Sequence, residues 1–421
     1  MISGLQIDNN FAAASVDIIN IGYARQDKVL LSLLSFVLAS RFFVVNYPAI
    51  DVIFQLGSIL GVLASFLCVL AWNIRVNSRI ATYFGFVAMM LFSEGIYTMT
   101  LRGESLYYFL SAAYSYIYLL TIVSFVYLFR KYGLERVMKS LQILGLALSL
   151  FMLFAAALFN FVGVSIVESL RLRDGTARFS ETGLVDVIAV YAACKVFGEK
   201  GRAFDLLTLL VTLTSIFLVS QTRVMVLSIL LAIGCVLVVQ LRGADRKLLG
   251  CIGIMTIILT AALNGSINAF VGSFSTSGVE AASTYARIEE TSYYLGLFRQ
   301  NPVLGIGMVA YESPLRYLIG GPYGTYYLDD VGIVGALGTI GLWIVPLYIF
   351  PVVHFFVDAA HAPCEHKALL VGLIVLLLGT TMTLLYVYPF CDPVWPLIYA
   401  IFVVSSVSAD SSFHNRKAKR R

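Results

Sequence analysis

Thr284-Tyr-Ala-Arg-Ile-Glu-Glu-Thr-Ser-Tyr-Tyr-Leu-Gly-Leu-Phe-Arg-Gln300, continuing as Asn301-Pro-Val-Leu-Gly-Ile-Gly307, is a polar passage in a chain that is otherwise almost continuously apolar. It lies within Val271 to Asp330, which holds eight tyrosines, three arginines and six carboxylates. The spacing predicts a helix up to Asn301-Pro302, where proline ends it, and a turn at Gly305-Ile-Gly307. A greasy chain keeps so long a polar excursion when something happens there. The rest reads as a frame that presents this loop at one membrane face.

Composition agrees. Of 421 residues 59% are hydrophobic and 13% charged, with a mean hydropathy of +0.88; soluble domains carry about twice that charge density. The expected fold class is therefore all-α, a polytopic integral membrane protein with about twelve transmembrane helices. Apolar runs place the spans near 28–45, 50–71, 80–100, 106–129, 141–163, 181–198, 204–220, 223–241, 247–271, 331–357, 367–388 and 394–409. The sixth, short and carrying Glu181, Asp186 and Lys195, is the weakest. The chain then divides into an inner segment 1–27, nine spans over 28–271 with a basic outer loop at 164–180, a large outer loop 272–330, three spans over 331–409 and a basic tail 410–421. No basic region followed by an apolar run opens the chain, so no cleavable signal peptide is expected. The cysteines at 68, 194, 235, 251, 364 and 391 stand singly, without disulfide or zinc spacing.

Orientation follows from the 29 lysines and arginines. With the N-terminus inside, twenty fall on the cytoplasmic side and nine outside, and all nine are arginines: 41, 102, 171, 173, 178, 223, 287, 299 and 316. Both termini are expected to be cytoplasmic. Arginine binds phosphate and carboxylate bidentately and stays charged near a low-dielectric boundary. Arg41, Arg102 and Arg316 read equally well as headgroup contacts. The loop at 164–180 sets Arg171, Arg173 and Arg178 against Glu168 and Asp174 and is net basic, whereas the large loop is net acidic. Such loops either pair as a lid or hold a substrate with an anionic end and a polar, uncharged end. Glu94, within the third span, marks a functional group or one satisfied locally by Ser93 and Tyr97. The tyrosines of the fourth span read as belt and packing. The four histidines, all cytoplasmic in this frame, have poor metal spacing, and the basic tail anchors topology.

Four pieces together resemble the O-antigen polymerase and ligase superfamily of bacterial inner membranes. They are Arg178-Phe-Ser-Glu-Thr-Gly-Leu-Val-Asp-Val-Ile-Ala, Ser220-Gln-Thr-Arg223, Tyr285-Ala-Arg287-Ile-Glu-Glu continuing to Asn301-Pro-Val-Leu-Gly-Ile-Gly307, and Asp329-Asp-Val-Gly-Ile-Val-Gly-Ala-Leu-Gly-Thr-Ile-Gly341. The resemblance covers about 165–345. It implies a glycosyltransferase joining undecaprenyl-pyrophosphate-linked oligosaccharide repeats into O-antigen or exopolysaccharide at the periplasmic face of the inner membrane. It also implies the lipid bilayer and the pathway's chain-length regulator and flippase as partners, with no nucleic acid and no cofactor. Ligases of the superfamily carry a histidine just before the fourth piece, where this chain has Tyr326-Tyr-Leu-Asp-Asp330; polymerase is favoured over ligase.

In that chemistry negative charge grows on the departing pyrophosphate, so guanidinium donors aimed at it lower the barrier. The candidates are Arg287, Arg223 and one of Arg171, Arg173 or Arg178, in place of a metal. The attacking hydroxyl needs a base among Glu289, Glu290, Asp329 and Asp330, with Glu290 and Asp330 put forward. Tyr293, Tyr294, Tyr326 and Tyr327 are candidate sugar platforms or an interface belt. A lipid-oligosaccharide transporter or flippase is the alternative from another class, and a structural scaffold the third; no repeat between the halves favours the transporter.

Overall fold

The computed structural model describes residues 27–39, 48–71, 77–166, 170–173, 176–179, 183–198, 202–220, 223–241, 281–382 and 394–418. The described chain is overwhelmingly helical. Helices α1 (27–39), α2 (Pro48–Ala71), α3 (Ser78–Leu101), α4 (Leu106–Ala113), α5 (Thr121–Tyr132) and α6 (Leu134–Val162) lead to a two-stranded ribbon, β1 (Leu170–Arg173) and β2 (Thr176–Phe179). After it come α7 (Gly183–Phe197), α8 (Ala203–Ser215), α9 (Arg223–Gln240), α10 (Ala281–Gln300), α11 (Gly332–Ile340), α12 (Phe350–His361), α13 (Cys364–Thr380) and α14 (Trp395–Ala418). The ribbon is a departure from the all-α expectation. Leu-Arg-Leu-Arg alternates apolar and polar positions, the period of a strand rather than a helix.

Three described helical stretches are long and apolar enough to cross a membrane: Ser78–Leu101, Leu106–Tyr132 and Leu134–Val162. The second is continuous through a 3-10 stretch, Tyr114–Leu120. Large apolar side chains such as Phe92, Leu101, Leu150 and Phe154 face outward on these helices, as a lipid-facing surface requires. The tyrosines of the second stretch divide as expected. Tyr107 is exposed, while Tyr116 and Tyr118 are buried and the Tyr118 hydroxyl bonds Ser58 at 3.0 Å. The span expected at 247–271 lies outside the described residues.

The sixth expected span turns out to be the centre of the bundle. On α7 every residue from Gly183 to Cys194 is buried, against α6, α8, α9 and α13. A helix apolar all round is one that protein surrounds. Its short length and its Asp186 therefore weaken it as a lipid-exposed span without weakening it here. Glycines set the close approaches: a Cβ on Gly145 would meet Ile188 at 2.7 Å, and one on Gly372 would meet Val190 and Val236, both at 2.7 Å.

Cationic helix ends gather at one end of the bundle. Arg79 at the start of α3 pairs with Asp358 near the end of α12 at 2.7 Å, and Lys195 near the end of α7 pairs with Glu135 at the start of α6 at 2.7 Å. Lys131 at the end of α5 pairs with Asp27 at 2.6 Å, where the Tyr132 hydroxyl also donates. The polar passage lies at the opposite end, against the C-terminus of α3.

The span expected at 331–357 is broken rather than continuous. Gly332–Trp343 and Val345–His361 meet at 109°. The break sits at Gly341, with φ 56° and ψ −138°, a region open to glycine alone. Its exposed backbone is paired by the turn after α10. The Ile306 N–H donates to Gly338 O at 3.0 Å and the Gly307 N–H to Thr339 O at 2.9 Å, while the Leu342 N–H donates back to Pro302 O at 2.9 Å. A Cβ on Gly341 would lie 2.4 Å from Val303 O. Gly341→Ala is therefore expected to lower stability by about 1–3 kcal/mol for the backbone conformation alone, with the clash in addition. Gly85→Ala, with open space around it, should be neutral or slightly stabilising. Thermal unfolding of the two detergent-solubilised variants checks the contrast.

Candidate functional site

The polar passage is a folded unit with its own core. Tyr294, Ile306, Val309, Ile319, Tyr326, Leu328, Val331 and Val334 pack together, closing the return of the chain onto α10 and α11. Helix α10 forms as its sequence predicts, ending at Gln300 before Asn301-Pro302. Its inner face rests on α11 through a glycine: a Cβ on Gly338 would meet the Tyr294 side chain and carbonyl at 2.9 Å. The turn before α11 packs on that helix in the same way, where a Cβ on Gly335 would meet Leu328 O at 2.8 Å.

The end of α3 holds the turn in place. Asn301 Nδ2 and Arg102 Nη2 donate to the Tyr97 hydroxyl at 2.8 and 2.9 Å, and that hydroxyl reaches Gly305 O at 3.3 Å. Arg102 also lies over the Tyr97 ring, 5.4 Å from its centroid. The Ser313 hydroxyl donates to Glu104. Arg102 thus braces the tyrosine hydroxyl to which the turn is bonded. Glu94 is fully buried one turn before Thr98, and neither Ser93 nor Tyr97 satisfies it, contrary to expectation. Ser93 donates to Met90 O instead, and the Met308 N–H approaches Glu94 without completing a hydrogen bond.

Three expected site residues come together. Glu290 is 3% exposed. Its Oε1 accepts the Tyr327 N–H at 3.2 Å, and its Oε2 has no hydrogen-bond partner. Burial pushes its carboxyl up to about 7; the Tyr327 N–H pulls the other way, Asp330 adds to the rise, and Arg287 opposes it. Arg287, half-buried one turn earlier, keeps its Nε without a partner. Glu290 is therefore not half of a surface ion pair. It is a buried carboxyl with an arginine and a second carboxyl beside it and one oxygen unspoken for.

The other candidates separate. Tyr294 does not belong to a sugar platform: it is fully buried, its hydroxyl donates to Ile319 O, and it forms the seam between α10 and α11. Tyr293 is half-buried and donates to Leu318 O at 2.8 Å, with its ring edge-on to Tyr326 at 5.4 Å. Tyr327 is exposed, and its backbone is what holds Glu290. For Arg171, Arg173, Arg178 and Arg223 only the backbone lies within the described residues. The ribbon register sets Arg171 opposite Arg178 and Arg173 opposite Thr176, so the three arginine positions fall on one face. Helix α9 begins at Arg223. Gly379 packs on Ser228, and the Ile333 N–H donates to Thr381 O at 2.9 Å, so the start of α9 and Asp330 share one end of the bundle.

Beside the cluster runs an open groove of about 390 Å³, lined by Glu289, Ser292, Tyr293, Gly296, Leu297, Gln300 and Tyr326. Sequence reasoning missed Ser292, Gly296 and Gln300 as lining, although the spacing i, i+3, i+7, i+11 from Glu289 puts them along one helix face.

The raised Glu290 carboxyl has a pH signature. Its folded-state pKa near 7 lies above the ordinary 4.5. The folded protein therefore holds a proton that the unfolded chain has lost, and stability falls as pH rises from about 4.5 through 7. Glu290→Gln keeps an acceptor for the Tyr327 N–H and removes the titration. Melting midpoints at pH 5 and pH 8 should draw together in that variant, with its gain over wild type at pH 8.

No protein-family model matches the chain, and no curated protein matches it.

Proposed function

We propose that this chain is a membrane-embedded glycosyltransferase that joins lipid-pyrophosphate-linked oligosaccharide repeats, with undecaprenyl as the carrier, into a surface polysaccharide. In this reading it is a protein of about twelve spans in the bacterial inner membrane, termini inside and α10 facing the periplasm. The observation that carries the reading is the unconsumed arginine. Arg287 is half-buried beside two carboxylates, yet its Nε is unpartnered and Glu290 keeps a free oxygen. A donor and an acceptor left unpartnered on one helix face are groups that a ligand with both acceptors and donors would satisfy.

The chemistry follows from charge. The terminal sugar hydroxyl of one repeat attacks the anomeric carbon of the other glycan. The bond from that carbon to the pyrophosphate oxygen breaks, and lipid pyrophosphate leaves with the bonding pair. Arg287 is placed to take up the growing negative charge, with Arg223 and the arginines of the ribbon at the same end as further donors. The hydroxyl proton passes to Glu290, beside which Asp330 lies. A carboxyl near pH 7 suits that role, since a base works best when its pKa lies near the operating pH. Polymerase is favoured over ligase in this reading, since among the described residues no histidine is found in the cluster around Glu290; His354 and His361 are exposed on α12, each against its own helix's carbonyls.

Arg287→Lys and Arg287→Ala are expected to insert normally and to lower chain extension by about 10²–10³, the loss that follows from removing one preorganised donor. Gels of surface glycan would show single lipid-linked repeats in both; normal chain lengths in Arg287→Ala would remove it from the site. Reporter fusions after Lys139 should be cytoplasmic and those within 281–325 exported. A cytoplasmic α10 would end the transfer reading altogether.

A further inference from the structure

The groove on α10 begins where the charged cluster ends. Glu289 and Tyr326 line its upper end, and each is the direct neighbour of a cluster residue, Glu290 and Tyr327 respectively. From Glu289 to Gln300 the helix advances about 16 Å at 1.5 Å per residue, so the groove leads away from Arg287 as a track. Its lining is of mixed chemistry. Tyr293 and Tyr326, edge-on to each other, give an aromatic wall, and Leu297 an apolar patch. Glu289, Ser292 and Gln300 are exposed, and none of their side chains hydrogen-bonds another described residue. Gly296 lines it at mid-length, and a Cβ there would meet nothing within 4 Å, so a larger side chain would stand in open space. The absence of a side chain is what leaves the middle of the track open.

Resting on the transfer reading above, we propose that this groove holds the sugar units nearest the reacting end of the glycan and selects for neutral ones. Sugar rings carry apolar C–H faces that lie on aromatic walls and hydroxyls that need both donors and acceptors. Ser292 and Gln300 supply both, and the Glu289 carboxylate accepts from hydroxyls. That same carboxylate repels a uronate or another carboxylated sugar at the upper position, so the selection is made by an unfavourable contact. An acidic peptide is disfavoured for the same reason. A basic peptide would be attracted by Glu289 but would find no second acid along the track.

The test separates binding from transfer. The purified full chain in detergent is applied to an array of neutral hexose and N-acetylhexosamine oligosaccharides and of matched uronate-containing ones. Wild type should retain neutral glycans over uronates, and Gly296→Leu should lose at least tenfold of that retention while eluting and melting as wild type. Glu289→Gln should admit the uronate glycans. Equal retention by Gly296→Leu, a preference for uronates, or no retention by wild type would overturn the groove assignment whatever the gel of surface glycan shows. Retention with this pattern alongside normal chain lengths in Arg287→Ala would keep the groove and remove the transfer reading instead.

Discussion

The interlock between the Asn301–Gly307 turn and the break at Gly341 is the constraint on which the rest depends. A helix that ends inside a bundle leaves carbonyls without partners, and each one left unmet in a dry environment costs about 1–3 kcal/mol. Here the Ile306 and Gly307 N–H groups meet Gly338 O and Thr339 O, and Pro302 O meets the Leu342 N–H. The break is thus supported by the very segment whose position it determines. Main chain can come this close to main chain only without side chains: a Cβ on Gly305 would lie 2.5 Å from Gly338 O. Two stretches that look like separate motifs in the sequence are one backbone joint in space.

That joint explains why the polar unit is rigid where it matters. Helix α10 emerges from the joint at its C-terminal end, is seated on α11 by Tyr294 over Gly338, and is tied to α3 through Asn301 and Tyr97. Arg287, Glu290 and the groove therefore ride on a helix fixed along one face and at one end. Broken helices are tolerated within membranes where protein pairs the freed backbone, and the polar groups that do the pairing also offer a place for polar chemistry at the rim.

Much of this was legible in the sequence, and what was not had physical reasons. The polar passage, the end of α10 at Asn301-Pro302, the glycine turn and the sorting of Arg79, Lys131 and Lys195 to one end all followed from local rules of proline, glycine and charge. The 109° break did not: hydropathy counts apolar residues and is blind to a left-handed glycine in the middle of a run. The burial of α7 was hidden for a related reason, since a charged residue such as Asp186 lowers an apolar score whether lipid or protein surrounds it. Tyr293 and Tyr294 are adjacent and chemically identical, yet one reaches the groove and the other the seam. Only the helix phase against α11 separates them, and Tyr294 is the one that meets Gly338, some forty residues away in the chain.

Glu94 shows how the same logic distributes cost. Its two oxygens lie buried without a full hydrogen bond beneath Met308, on the far side of the glycine turn from the charged cluster. The cluster around Glu290 shares the burial but differs in company: Arg287 and Asp330 lie beside it, and the Tyr327 N–H is already in place. Two buried glutamates therefore flank one backbone joint, one among uncharged neighbours and one beside an arginine. The arginine beside Glu290 is what sets the two apart.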